Sequence, residues 1–402
     1  MMPNPSKSTA SVELCSGNHA AAIAALLSRP DVVAIYPITP QTAIAEKLSR
    51  FHADGRLTAE IVEVEGENSA MGVISSASVA GARVFTATSS WGLAFMNDGL
   101  LFAAARRLPL VMVNVNRETP GLPTIGCGRQ DIMSNRDSGW IQIDVESCQE
   151  ILDMVIMAYR IAEDQDILLP VMVSYDGFYL SHLEERVEIP SQEAVDLFLE
   201  PLNHTDRPQL LPNEPVAFGG GYSGLSCTEF RYKHLTAIER VKEKINMVEA
   251  AFEDIFGRKY GGDLEAYRVE DAEILLLSMG SSTGAARVAV DDMRDRGMGI
   301  GLVKLRMFRP FPEEALKEIC AGIKAVGVID RSVCFGWNCG HLFMELKAAL
   351  FGVPDPPVLL NFIGGLASTD MTIDHIKRAA ELTFKASQGE PMEQPIWLSR
   401  TP

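Results

Sequence analysis

The sequence predicts an α/β protein in which a doubly wound parallel sheet is followed by a second, smaller α/β domain. Short apolar runs that suit buried strands alternate with helical stretches, and this alternation indicates parallel βαβ units. The alternation stops over residues 184–265, where five prolines occur, and resumes at Glu273. With 402 residues the chain can form two domains. We place the first at residues 1–260, with 184–265 as a loop-rich excursion, and the second at 266–402.

The first domain is predicted to open with a helix over residues 20–27, which Ser16 or Asn18 can cap. Its other helices are expected near 42–48, 67–80, 93–106 and 151–163, and its strands at 32–36, 59–64, 83–88, 109–115 and 168–174. A long charged helix is expected at about 235–255. The second domain should contain strands at 273–278, 301–305, 325–329 and 358–362. The glycine run at 219–224 lacks the spacing of a phosphate-binding loop and is interpreted as flexible.

Composition and charge narrow the class of protein. Thirty-six basic and 53 acidic residues give a net charge of −17, which argues against binding to nucleic acid or to an anionic membrane. The amino terminus lacks the apolar run of a signal peptide, and no segment approaches the roughly 20 apolar residues of a membrane span. The seven cysteines include no CxxC pair, so we expect a cytoplasmic protein without an iron–sulfur cluster of its own.

The segment Tyr36–Thr42 connects a strand to a helix through two prolines. Proline fixes its own φ and biases the residue before it toward extended geometry, so the hydroxyl of Thr39 should be presented with little freedom. Ligands of open α/β sheets bind at the carboxyl ends of strands, where this turn lies. A plain proline-rich connector without a ligand is an equally good interpretation of the local pattern.

Two charged residues occupy comparable positions. Glu67 begins a helix, where the positive end of the helix dipole favours a carboxylate, and Arg117 ends a strand, where it could bind a carboxylate through two hydrogen bonds. Taken alone, Glu67 is better interpreted as a surface carboxylate that complements the dipole. Arg117 could instead form a surface ion pair. Histidines show no metal-ligand spacing, and no metal site is predicted in this chain.

Several separated motifs resemble those of one family, the alpha subunits of 2-oxoacid:acceptor oxidoreductases, which are thiamine diphosphate enzymes. The segment Tyr36–Pro40 is similar to the family's YPITP signature. Other motifs follow in the family's order and near its spacing: Glu65–Ala70, Phe85–Ser90, Val113–Arg117, Arg136–Gln142, Phe308–Pro312 and Ile329–Arg331. Separated motifs in a conserved order are far more specific than any single one. The resemblance implies a thiamine pyrimidine-binding domain followed by a transketolase C-terminal-like domain.

The resemblance also implies residue roles. Glu67 would hydrogen-bond N1′ of the thiamine pyrimidine and promote the tautomer that deprotonates the thiazolium C2, which is acid–base work. Thr39 and Arg117 would hold the carboxylate of the 2-oxoacid. Smaller contributions to cofactor binding are expected from residues that follow strands or lie in the YPITP turn: Pro37, Ser89, Ser90 and Asn116.

The run after Arg117 departs from the pattern of pyruvate-type members, which resembles ALSAPINIWNDHSD. Bulky positions there correspond to Gly126 and Cys127, and the HSD triplet corresponds to residues 129–131, which include Arg129 and Asp131. We expect these four residues to line the substrate pocket. Small side chains would leave more volume near the acyl group, so we favour an aryl 2-oxoacid such as phenylglyoxylate over pyruvate.

The chain contains no GDG…N motif of the kind that binds diphosphate and magnesium. The resemblance therefore implies a beta-type partner subunit that supplies the diphosphate site and Mg²⁺. Gamma-type and ferredoxin-like subunits would carry the iron–sulfur clusters, with ferredoxin or NAD as acceptor, and coenzyme A would be the co-substrate. The implied reaction is oxidative decarboxylation of a 2-oxoacid to acyl-CoA.

Three other functions compete with this one. A non-oxidative 2-oxoacid decarboxylase would use the same pyrimidine-binding half without cluster-bearing subunits. A catalytically silent scaffold subunit would not need Glu67. A dinucleotide-dependent dehydrogenase is disfavoured, because the glycine fingerprint of the dinucleotide-binding fold is absent.

Overall fold

The computed structural model describes residues 9–118, 124–199, 210, 213 and 222–400. The first half of the chain forms, in order, β1 (Thr9–Ser16), α1 (Gly17–Leu27), β2 (Val32–Ile35), α2 (Thr42–Ala53), β3 (Glu60–Glu63), α3 (Glu67–Val79), β4 (Val84–Thr88), α4 (Ser90–Phe95), α5 (Asn97–Ala105), β5 (Val111–Asn116), α6 (Gln130–Ser134), β6 (Ile141–Asp144), α7 (Cys148–Ala162), β7 (Val171–Asp176), β8 (Glu184–Pro190) and α8 (Gln192–Leu199).

The second half forms α9 (Gly224–Phe256), β9 (Leu264–Tyr267), β10 (Ile274–Met279), α10 (Ser282–Asp295), β11 (Ile300–Leu305), β12 (Met307–Arg309), α11 (Glu313–Cys320), β13 (Ala325–Asp330), α12 (His341–Ala349), β14 (Val358–Ile363), α13 (Ile373–Ser387) and β15 (Ile396–Trp397). A short 3-10 helix, Leu366–Ser368, lies between β14 and α13.

The larger sheet has seven strands in the order β12-β6-β7-β5-β4-β2-β3. All pairs are parallel except β12 with β6, which is antiparallel. The central strands β4, β5 and β7 are buried along their whole length, as expected of strands covered on both faces. One apolar core includes residues of α1, α2 and α7, and another includes residues of α3 and α5. The doubly wound parallel sheet is therefore confirmed.

The smaller sheet has six strands in the order β15-β14-β13-β10-β11-β9. Its pairs are parallel except for β9, which runs antiparallel to β11. The apolar core that contains α3 and α5 also contains residues of β10, β11 and β13. The two sheets therefore share one buried apolar core, although the sequence predicted them as separate domains.

Several elements differ from the sequence prediction. Within the described residues the stretch 184–265 holds β8, α8, the long helix α9 and β9, rather than loops alone, and β8 pairs with β1 in a separate two-stranded sheet. The helix predicted at 93–106 is two helices, α4 and α5. Most of the glycine run at 219–224 lies outside the described residues. Strand β12 follows β11 directly, yet it joins the larger sheet, with Met307 opposite Ile143.

Among the residues that the structure describes, no helix combines the length and the apolar character that crossing a bilayer requires.

Candidate functional site

The carboxyl ends of four parallel strands bring the predicted site residues to one edge of the larger sheet. Thr39 follows β2, Ser89 and Ser90 follow β4, and Arg117 follows β5, with β7 ending beside β5. Ligands of such sheets bind at this edge. Ser90 is fully buried and has a left-handed backbone, with φ of 47°, which is unusual for a residue with a side chain.

Glu67 is the first residue of α3 and is 7% exposed. No residue of the described chain makes a hydrogen bond with its carboxylate. The space beside it is tight, because a Cβ added at Gly92 would lie 2.7 Å from Glu67 Oε1 and would also clash with Thr88 Oγ1. The helix N-terminus favours a charged carboxylate at this position. The result is a sheltered acid whose oxygens are free to bind a ligand.

Arg117 is half-buried and is held through carbonyl oxygens. Its Nε donates to Thr124 O at 2.8 Å, and its Nη1 donates to Thr39 O at 3.2 Å. The structure thus brings Thr39 to Arg117, although 78 positions separate them in the chain. Thr39 and Pro37 are both exposed at the end of β2. Within the described chain Arg117 forms no ion pair, so its guanidinium remains available to a carboxylate.

Asp131 organises the polar residues behind Arg117. Its Oδ2 accepts hydrogen bonds from Asn114 Nδ2 at 3.0 Å, from the backbone of Arg117 at 3.1 Å and from the backbone of Ser90 at 3.4 Å. Burial raises the pKa of Asp131 to about 6, although these hydrogen bonds oppose the shift. Asn114 also donates to Asn116 Oδ1 at 2.9 Å. Asp131 therefore orients the backbone of Arg117 and lies behind that residue. We call the guanidinium of Arg117, held by the carbonyl oxygens of Thr39 and Thr124, the clamp.

Some polar atoms near this edge are buried without a hydrogen-bond partner among the described residues. They are Thr88 Oγ1, Ser89 Oγ, Asn114 Oδ1 and Asn116 Nδ2. Buried polar atoms are normally satisfied, so each of these marks a place where a bound group or solvent could complete the network.

Glu118 follows Arg117 and is also sheltered. Burial raises the pKa of Glu118 to about 7, and the nearby charge of Asp131 adds to the shift. Its backbone N–H donates to Gly126 O at 2.8 Å. A Cβ at Gly128 would overlap the Glu118 carboxylate, so this carboxylate packs directly over the glycine.

The structure places Gly126, Cys127 and Arg129 between the two sheets. The backbone N–H of Cys127 donates to Ser368 Oγ at 2.6 Å, and Arg129 donates to Asp144 and to Asp176, the latter at 3.0 Å. Cys127 and Arg129 are buried to 0% and 2% exposure. A side chain at position 126 would clash with the backbone of the turn around Ser368. The space that the small residues Gly126 and Cys127 leave is therefore filled by the turn around Ser368, which belongs to the C-terminal half of the chain. Their small size does not by itself enlarge a substrate pocket.

An open cavity of about 600 Å³ lies beside this segment. It is lined by Thr124, Ile125, Gly126, Phe178, Tyr179 and Ser368. Because Thr124 also receives the hydrogen bond from Arg117 Nε, the cavity adjoins the arginine.

Sequence reasoning missed several contributors to this edge. Asn114 and Asp176 could have been found, since a polar residue inside an apolar strand run is a signal for a buried network. Gly92 and Ser368 carried no such signal, because their importance comes from contacts that only the tertiary fold creates.

Comparisons with known proteins identify the family of this chain. The family described as "Pyruvate flavodoxin/ferredoxin oxidoreductase, thiamine diP-bdg" matches residues 23–250, and "Pyruvate:ferredoxin oxidoreductase core domain II" matches residues 272–376. The alpha subunit of NADH-dependent phenylglyoxylate dehydrogenase from Aromatoleum evansii is 42% identical, covering 96% of this chain and 95% of the relative. Pyruvate synthase subunit PorA from Methanothermobacter thermautotrophicus is 45% identical, covering 92% and 95%.

A solved structure gives the same fold. The 2-oxoglutarate:ferredoxin oxidoreductase from Magnetococcus marinus superposes with a TM-score of 0.72 at 21% identity, covering 92% of this chain and 65% of the other. Fold and family matches together define a thiamine diphosphate-binding protein of the 2-oxoacid oxidoreductase class. This chain belongs to the 2-oxoacid:ferredoxin oxidoreductase family, among its alpha subunits. The enzymes of this family depend on thiamine diphosphate and act within multi-subunit complexes.

The residues present fit the pyrimidine part of this cofactor. An aminopyrimidine needs a sheltered carboxylate at its ring nitrogen, and Glu67 offers one without a competing partner among the described residues. The close approach at Gly92 and the unpaired Thr88 hydroxyl lie beside that carboxylate. No group of three His, Cys, Asp or Glu side chains suited to a metal occurs in the described part of the chain.

Proposed function

We propose that this chain is the alpha subunit of a coenzyme A-acylating 2-oxoacid oxidoreductase. In the overall reaction, a 2-oxoacid and coenzyme A give an acyl-CoA, carbon dioxide, a proton and two electrons. The observation that carries the proposal is the buried Glu67 carboxylate, which has no hydrogen-bond partner among the described residues and lies at the same sheet edge as the paired Thr39 and Arg117. A scaffold subunit would have no need of that arrangement.

Each residue has a distinct task in this proposal. Thiamine diphosphate, when bound, supplies the nucleophilic carbon and accepts the electrons released by decarboxylation. Glu67 holds a proton at the pyrimidine ring nitrogen, and its shelter from water keeps that hydrogen bond strong. Arg117 binds the substrate carboxylate while Thr39, whose carbonyl oxygen accepts from Arg117, positions the guanidinium. The cofactor-facing surface of the site is formed by Pro37, Ser89, Ser90 and Asn116. Asp131 fixes the backbone of Ser90 and Arg117 by accepting their N–H groups.

We assign the remaining parts of the reaction to other subunits. A beta-type subunit would bind the diphosphate and Mg²⁺, since the GDG motif for that task is absent from this sequence. Gamma-type and ferredoxin-like subunits would carry iron–sulfur clusters to ferredoxin or NAD. A cytoplasmic location is part of the same proposal.

We favour an aryl 2-oxoacid such as phenylglyoxylate as substrate. Support comes from the cavity of about 600 Å³ beside Arg117, where Phe178 and Tyr179 provide aromatic walls, and from the phenylglyoxylate dehydrogenase relative. Pyruvate is the second candidate, because pyruvate synthase subunits are relatives of comparable identity. The small size of Gly126 and Cys127 does not support a larger substrate, since the turn near Ser368 occupies the space at Gly126.

Exchange of Glu67 for Gln in the assembled complex tests the proposed activity. Turnover with pyruvate and with phenylglyoxylate, followed by reduction of a viologen dye, should fall by about 10²–10⁴-fold, as for loss of a positioned acid–base group. Glu65→Gln is the matched control, because Glu65 precedes α3, is exposed, and accepts through its carboxylate from the Ser69 hydroxyl of that helix.

The control variant should retain normal turnover. If Glu67→Gln is as active as the original complex, the proposed role of Glu67 is wrong and the scaffold alternative gains support. Release of carbon dioxide without dye reduction by the original complex would favour a non-oxidative decarboxylase instead.

A further inference from the structure

A turn of the C-terminal half reaches into the substrate side of the site. This interdomain turn, Gly365–Ser368, follows β14 and has left-handed backbone at Gly365, Ala367 and Ser368, with φ of 67°, 51° and 64°. Such a conformation is unfavourable for alanine and serine and persists only where surrounding contacts fix it. The contacts that fix it come from the N-terminal half.

Ser368 is bound on two sides. Its backbone N–H donates to Cys127 O at 2.7 Å while its hydroxyl accepts from the backbone N–H of Cys127 at 2.6 Å. The hydroxyl of Tyr179 donates to Ser368 O at 3.2 Å and to Asp370 Oδ1 at 2.7 Å. The interdomain turn is therefore tied both to the run after Arg117 and to the loop after β7.

A short chain of contacts connects the interdomain turn to the guanidinium of Arg117. Cys127 adjoins Gly126, whose N–H donates to Thr124 Oγ1 at 3.0 Å. Thr124 in turn accepts from Arg117 Nε through its carbonyl oxygen at 2.8 Å. Glu118, next to Arg117, donates its backbone N–H to Gly126 O at 2.8 Å, and Gly126 packs against the backbone of Ala367. A shift of the turn would therefore move the residues that orient the clamp.

We propose that the interdomain turn is a specificity-determining wall of the 2-oxoacid site. With the substrate carboxylate on Arg117, the substrate side chain enters the adjoining cavity of about 600 Å³, where Ser368 faces Ile125, Phe178 and Tyr179. The C-terminal half then sets which 2-oxoacids are accepted, and the position of Ser368 fixes the width of the cavity. This inference rests on the proposed role of Arg117.

Two variants that loosen the wall test the inference in the assembled complex. Ser368→Ala removes the acceptor for the Cys127 N–H, and Tyr179→Phe removes the hydroxyl that holds Ser368 and Asp370. Each should raise KM for the 2-oxoacid by about fivefold, the effect of one lost hydrogen bond, while KM for coenzyme A stays unchanged. Ser387→Ala is the matched control, since the Ser387 hydroxyl donates to Phe384 O and accepts from the neighbouring Gln388 Nε2, both at the C-terminal end of α13.

Ile125→Ala widens the cavity without touching the buried interface, because Ile125 is 54% exposed. The ratio of kcat/KM for phenylglyoxylate to that for pyruvate should rise by about fivefold or more, as expected when apolar bulk is removed from a pocket wall. An unchanged ratio in this variant, together with an unchanged 2-oxoacid KM in Tyr179→Phe, would overturn the inference. So would an increase in KM for coenzyme A alone. Absence of 2-oxoacid oxidation by the unaltered complex would instead reject the proposed function.

Discussion

Arg117 shows how a single cation can be positioned without being neutralised. Carbonyl oxygens of Thr39 and Thr124 accept two of its N–H groups, and no carboxylate of the described chain forms an ion pair with it. Asp131 contacts only its backbone N–H. A guanidinium with fixed orientation and free N–H groups suits two parallel hydrogen bonds to a carboxylate.

This arrangement predicts the behaviour of Arg117→Lys. Lysine keeps the charge but cannot bond Thr39 O, Thr124 O and a substrate carboxylate with one rigid fork. We expect KM for the 2-oxoacid to rise by about 100-fold, which corresponds to about 3 kcal/mol of lost binding. Steady-state kinetics of the complex measures this KM. Arg29→Lys is the control, because Arg29 pairs with Asp196 at the exposed surface. An unaltered KM would remove Arg117 from the substrate site.

Sequence motifs singled out Glu67, Thr39 and Arg117 as candidate site residues. In the structure all three lie at one edge of the larger sheet. The same reasoning could not place Arg129, whose partners Asp144 and Asp176 lie 15 and 47 positions away. A motif records which residue types occur near one another in the chain. It does not record which long-range partner satisfies a buried charge.

The turn from β4 into α4 is the element on which the cofactor side of the site depends. Ser90 has a left-handed backbone, and Gly92 approaches Glu67 and Thr88 so closely that no side chain fits between them. Trp91 and Phe95 are 47% and 60% exposed and leave aromatic surface on α4, the helix whose Gly92 packs against Glu67. Such surface is typical of an interface with another subunit.

We therefore predict that Gly92→Ala displaces the Glu67 carboxylate. Affinity of the complex for thiamine diphosphate should fall by about tenfold or more, since a misplaced catalytic group is costly. Gly72→Ala is the matched control: Gly72 lies in α3 with open space at its Cβ position, and alanine favours the helix. Titration of the cofactor against complex stripped of it measures the effect, and equal affinity in both variants would contradict the prediction.

Helix and strand periodicity predicted most elements of both sheets, because long apolar runs leave few alternatives. It did not predict β12, a strand of three residues, or β8, whose partner β1 lies at the other end of the domain. A strand that is very short, or whose partner is remote in the chain, is specified by the strand with which it pairs. A local window of sequence contains no information about that partner.

A buried ion cluster joins α7 to β11 and to Arg306, the residue that follows β11. Glu150, 1% exposed, accepts from Lys304 Nζ at 2.7 Å and from Arg306 Nε at 2.6 Å. Burial raises the pKa of Glu150, but Arg306 and Lys304 outweigh burial and lower it to about 2. The two halves of the chain thus share charges as well as an apolar core.

Glu150→Gln should lower the free energy of unfolding by about 3 kcal/mol at pH 7, because two buried cations lose the carboxylate that they share. Lys304 keeps its pair with Glu146 at 2.9 Å, and Arg306 keeps the longer one with Glu265 at 3.7 Å. The carboxylate's contribution is complete above its unfolded pKa of about 4.3 and is lost as the pH falls toward 2. The difference between the original chain and the variant should therefore shrink as the pH falls from 5 to 2.

Denaturant unfolding at several pH values measures this difference. Glu313→Gln is the control, since Glu313 pairs with Lys317 at the surface and should cost less than about 1 kcal/mol. A difference that grows on acidification would show that the sign of the Glu150 contribution is wrong.

Strand β12 also affects how the molecule can be divided. It comes from the half of the chain that forms the smaller sheet, yet its backbone closes the outer edge of β6 in the larger one. A fragment ending near residue 260 would leave β6 with bare N–H and C=O groups, and such unprotected edges recruit strands from neighbouring molecules. Expression of the N-terminal half alone should consequently yield aggregates, whereas in the full chain β12 covers the edge of β6.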